Sequence, residues 1–181
     1  VQRSFNTNET NEHNLQFITF IKKTTHNKTG LFLTHYLLTI INFAFFFILL
    51  ITRDYEFDYY RPSYSLHKKI IIAIIAGPLF ETLIFQFIPN KILDILKIRN
   101  YYIQLFLMAL LFAIAHRHFQ IPVFINFFIG GSIVVNYYLQ VEKRESTKNA
   151  IIKTFVLHAV FNLTLTIITL IPKIITFKNY Y

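Results

Sequence analysis

Five runs of apolar residues, at 31–51, 70–88, 101–116, 121–141 and 150–171, divide the sequence, and polar or charged segments separate them. A helix of about 20 residues crosses roughly 30 Å of hydrocarbon. The pattern therefore predicts an all-α polytopic transmembrane bundle of about five spans. Residues 1–30 are polar and rich in Asn and Thr, with one apolar patch from Leu15 to Ile21 that Lys22-Lys23 follows. A signal peptide would place its basic residues before a longer apolar core, so this segment reads as a tail with an interfacial helix. The 52–69 connection carries Asp54, Glu56, Asp58 and several tyrosines. Pro89-Asn90 is expected to end the second span, and 91–100 to form a short surface helix. Residues 142–147 read as a charged turn and 172–181 as a short tail. We expect no repeat and a single membrane domain over 31–171.

Composition strengthens this picture and changes the choice of partner. With 54% hydrophobic and 18% aromatic residues, the chain is too apolar for an ordinary soluble domain. Its net charge of +9 would suit nucleic acid, yet the Lys and Arg residues lie almost entirely between the apolar runs. There they anchor helix ends to lipid headgroups, so the expected partner is the bilayer and not nucleic acid. With the N-terminus inside, ten basic residues between Arg3 and Lys148 fall on the cytosolic side and seven on the outer side. That bias favours N-inside in a multi-pass protein, which we expect in a bacterial cell membrane. There is no cysteine, hence no disulfide, thiolate nucleophile or cysteine metal site. Oligomeric state is left open.

Candidate chemistry starts at Glu81, one carboxylate inside the second apolar run. On insertion scales an ionisable group at mid-helix costs about 3 kcal/mol, so it normally faces a bundle interior or a wet cavity. Pro78 should kink the same helix one turn earlier. His158 and Asn162 stand four apart in the fifth span and share a face, as do Phe112 and His116 in the third. A histidine in an apolar helix is more often an interhelical donor than a catalyst. Three spans that each offer a group suited to hydrolysis make a stronger signal. His35 and Asn42 share a face of the first span and are assigned to helix–helix hydrogen bonding, and Gly130-Gly131 to close packing.

The order Glu81-Thr82-x-x-Phe85-Gln86, Phe112-x-x-x-His116, His158-x-x-x-Asn162 resembles the three motifs of the CPBP family. These are the CAAX-protease and bacteriocin-processing membrane proteins, also called Abi, and the likeness covers about 70–171. In that family the first motif usually has two adjacent glutamates and an arginine four residues after the second. Here Thr82 replaces the second glutamate and Gln86 the arginine. The two are one turn apart, where a neutral hydrogen-bonding pair can stand for an ion pair, and they are assigned to substrate binding beside Glu81.

The resemblance implies an intramembrane glutamate-type endopeptidase acting on a membrane-proximal or processed peptide or protein. Glu81 and His116 would hold and deprotonate a water, while His158 and Asn162 would point N–H groups at the developing oxyanion. Two histidines and a glutamate can bind zinc, but the His-Glu-x-x-His helix is absent and Asn162 is a poor zinc ligand, so no metal or cofactor is expected. With the spans drawn as above, Glu81 and His116 differ in depth by roughly 10 Å. A third helix that starts deeper than Tyr101 and continues past His116 would remove the mismatch, with Arg117, His118 and Gln120 at a wet rim and His118 as an alternative catalyst. Two other functions fit the same residues: a catalytically silent immunity or scaffold protein, and a small proton-coupled transporter.

Overall fold

A computed structural model describes residues 27–52, 66–116 and 120–178. The proposed interfacial helix, most of the 52–69 connection, and Arg117 and His118 lie outside them. The chain divides into two units after Thr34. In the first, the described residues are the opening turns of α1 (Lys28–Thr52). Asn27 starts this helix, its Oδ1 accepting from Thr29 N–H at 3.2 Å and its carbonyl from Leu31 N–H at 2.9 Å.

The second unit, from His35 onward, holds the rest of α1 and four more helices: α2 (66–95), α3 (Tyr101–Ala115), α4 (Ile121–Arg144) and α5 (Thr147–Lys178). Among the described residues there is no strand, as expected of an all-α bundle. Among the described residues four helices are long and apolar enough to cross a membrane, and α3, with 15 residues, is a shorter apolar helix. Large apolar side chains such as Ile41, Phe45, Ile125 and Ile167 face outward, as lipid contact requires. Within the second unit α3 packs on α4, α4 on α5, and α5 along α2. Within this unit Asn42 makes the helix–helix hydrogen bond expected of the first span, its Nδ2 donating to the Asn126 carbonyl at 3.4 Å, while the buried His35 ring makes a ring contact, 5.1 Å from that of Tyr137.

The second helix corrects the sequence reading. Pro89-Asn90 does not end it, and α2 continues to Ile95. Two π-helical stretches, Ile72–Ala76 and Thr82–Phe87, precede Pro78 and Pro89 respectively. A proline lacks its N–H and its ring collides with the carbonyl four residues back in an α-helix. That carbonyl belongs to Ile74 for Pro78 and to Phe85 for Pro89, and both lie in a widened turn. The i→i+5 register absorbs each proline, and the helix survives. It also makes Gly77 necessary, because a Cβ there would stand 2.9 Å from the Ile72 carbonyl oxygen.

Helix α2 stops at Leu96 in a Schellman arrangement: Lys97 adopts φ 58°, its N–H meets the Asp94 carbonyl at 3.0 Å, and Ile98 N–H meets that of Leu93 at 2.9 Å. Asn100 then caps α3, accepting from Tyr102 and Ile103 N–H at 3.0 and 3.2 Å. The last helix passes through Pro172, where the sequence suggested a tail.

Candidate active site

The third helix starts at Tyr101 and ends at Ala115, so it neither begins deeper nor continues past His116, as the sequence reading favoured. The depth mismatch disappears for another reason. Helices α2 and α3 share the turn 96–100; Glu81 stands 14 residues before Ile95, and His116 stands 15 residues after Tyr101. At 1.5 Å per residue both lie about 22 Å from that turn. The added length comes from α2 continuing past Pro89 to Ile95.

His116 occupies the C-terminal cap of α3. Its ring is held between Phe112 and Phe127, each with its centroid 4.3 Å away. The ring Nδ1 lies 2.8 Å from the Phe112 carbonyl. Because a carbonyl only accepts, Nδ1 carries the proton at this contact, and a neutral ring would then have Nε2 as its acceptor atom. Phe112 is itself fixed by Gly131 of α4, where a Cβ would come within 2.8 Å of the phenyl Cδ1. The close packing expected of Gly130-Gly131 thus serves the cage around His116. Phe112 also lies 6.5 Å from the His158 ring and 5.6 Å from that of Phe85, which places both histidines about one aromatic wall.

Helix α5 brings His158 to Glu81, with Nε2 3.4 Å from Oε2. The contact is close enough for charge interaction but lacks hydrogen-bond alignment. The imidazole is almost enclosed, whereas the Glu81 side chain is 27% exposed. Asn162, one turn beyond His158, donates from Nδ2 to the Ala73 carbonyl at 2.8 Å. This bond follows from the proline. In the π register the partner of the Ala73 carbonyl would be the N–H of residue 78, which Pro78 lacks, and Gly77 N–H is taken by Ile72. The Asn162 amide satisfies a carbonyl that α2 cannot satisfy itself.

Thr82 and Gln86 correct another expectation. They do not bond to each other: Thr82 Oγ1 and both Gln86 amide atoms have no hydrogen-bond partner among the described residues. Both side chains are fully buried, and they flank Glu81 in sequence. Among the described residues no three His, Cys, Asp or Glu side chains are grouped as a metal ion would require. The sequence carried no signal for the roles of Ala73 and Phe127, whereas the small size of Gly131 pointed to its close packing.

A family model described as type II CAAX prenyl endopeptidase Rce1-like matches residues 64–164. The chain belongs to the Rce1-like family. The Rce1-like segment covers more than half of the 181 residues, opening just before α2 and closing within α5, so it contains Glu81, His116, His158 and Asn162 and leaves out α1. It agrees with the CAAX-protease likeness of the three motifs. No curated protein and no solved structure matches the chain.

Proposed function

We propose that the chain is an intramembrane endopeptidase that hydrolyses a peptide bond in a membrane-proximal or processed peptide. The meeting of motif residues from three helices carries this reading: His158 Nε2 is 3.4 Å from Glu81 Oε2, and Phe112 backs both His158 and His116. Glu81 and the Nε2 lone pair of His116 hold a water and take its proton. The hydroxide adds to the carbonyl carbon. The ring N–H of His158 and the second amide hydrogen of Asn162, left over from the bond to Ala73, stabilise the oxyanion. The proton then passes to the departing amine as the C–N bond breaks.

A prenylated CAAX peptide is the first substrate class to try, because the family description names it. We place the protein in a bacterial cell membrane with the N-terminus in the cytosol, so that the 96–100 and 145–146 turns, near Lys97, Arg99, Arg144 and Lys148, face the cytosol.

The test is a product map by mass spectrometry. Purified wild type and Glu81→Gln are incubated in detergent, with and without chelator, with a pool of membrane-associated peptides that includes a prenylated CAAX peptide. Fragments formed by wild type alone, chelator or not, support the proposal; identical products from both proteins overturn it. A catalytically silent immunity or scaffold role is the second reading, favoured by the engagement of Asn162 with Ala73 in the resting structure. It predicts no fragments from either protein.

A further inference from the structure

We propose that the seam between α2 and α5 binds a file of water molecules that links the Glu81–His158 pair to the Asn90–Glu142 end of the bundle. Thr82, Gln86 and Thr154 are each 0% exposed. Thr82 Oγ1, Gln86 Nε2 and Oε1, Thr154 Oγ1 and His158 Nδ1 have no hydrogen-bond partner among the described residues. Elsewhere in the bundle the hydroxyls of Thr39, Ser132, Thr164 and Thr166 turn back to a carbonyl of the preceding turn. Thr82 and Thr154 do not, although both sit in helices where that bond is open to them. A buried group left without a partner destabilises the fold, and several on one seam compound the effect. Water, bound by two to four polar partners, is the ligand that such an enclosed polar site takes.

Placement gives the file its direction. Helices α2 and α5 run antiparallel and pack together, with the 96–100 and 145–146 turns at the same end. From the Glu81–His158 contact toward that end, Thr82 and Gln86 occupy the next turn of α2 and Thr154 the next turn of α5. Asn90 follows one turn later, with Nδ2 2.5 Å from Glu142 Oε2. Lys91, 3.5 Å from Glu142, is 43% exposed and opens the series to the surface. Neighbours one turn apart on a helix are about 5–6 Å from each other. That spacing is about two hydrogen bonds, the span of a single bridging water. Thr82, Gln86 and Asn90 follow one another at four-residue intervals, the first two within the π turn and the third in the α-helical turn after it. This inference rests on the proposed hydrolysis only for the use of the water, which each turnover consumes; the file would resupply it from the face opposite Asn162.

The test reads hydration separately from catalysis. In bilayers, water-edited solid-state NMR of wild-type protein should show magnetisation passing from water to the Gln86 side-chain amide, assigned by its loss in Gln86→Leu. Absence of that transfer overturns the proposal. Thr82→Val and Thr154→Val keep side-chain shape and delete only hydroxyls. With bound water each lowers the melting temperature by several degrees and slows peptide cleavage several-fold. If the seam is dry, both raise the melting temperature, which also overturns it. Failure of wild type to cleave any peptide, with transfer to Gln86 intact, would count against the hydrolytic reading and leave the water file standing.

Discussion

Two polar clusters built on the same helices contrast in how their groups are used. At the end near the 145–146 turn, both oxygens of Glu142 are occupied, by Asn90 at 2.5 Å and Thr147 at 2.8 Å, and both oxygens of Glu145, by Asn149 at 2.9 Å and Lys153 at 2.6 Å. Deeper in the bundle, Glu81 has one misaligned contact at 3.4 Å, and Thr82, Gln86 and Thr154 have no side-chain partner among the described residues. A saturated network fixes helix ends, while polar groups left over in a low-dielectric interior carry a cost that selection tolerates where they do work. The first cluster is architecture; the second is where chemistry is expected.

That contrast breaks most visibly at the deep cluster. Glu81→Gln or His116→Ala should lower cleavage by roughly 10²–10⁴-fold, the usual contribution of acid–base catalysis, with helicity by circular dichroism unchanged. Asn162→Ala should cost about 1–3 kcal/mol in thermal unfolding by leaving the Ala73 carbonyl unpaired. Pro78→Ala restores an N–H to α2, so the same change in that background should cost clearly less; equal costs in both backgrounds would remove the proline-based explanation of the bond. Gly131→Ala places a methyl 2.8 Å from Phe112, and overpacking of about 1–3 kcal/mol should come with slower cleavage as the His116 cage shifts. Lys153→Ala, at the saturated end, should change stability by about 0–1 kcal/mol and leave cleavage alone.

Much of this was legible in the sequence because it depends on periodicity. The spacing of His158 and Asn162 places both on the face of α5 that meets α2, and the lone Glu81 had to turn inward. What was not legible depends on backbone register. Proline reads as a helix stop, so the π turns that carry α2 through Pro89 were invisible, and the common depth of Glu81 and His116 was hidden with them. Thr82 and Gln86 look like a bonded pair at i, i+4 spacing, yet neither side chain bonds to the other. The Ala73 carbonyl left no trace in residue type, since its need for Asn162 arises from a donor missing five residues later.

The most direct measurement is a single turnover in H₂¹⁸O on any peptide that the wild-type protein cleaves, with product and protein analysed by mass spectrometry. A water held between Glu81 and His116 places one ¹⁸O in the new carboxylate of the peptide and none in Glu81. Label found in the Glu81 side chain, or undiminished ¹⁸O incorporation by the Glu81→Gln protein, would contradict that role.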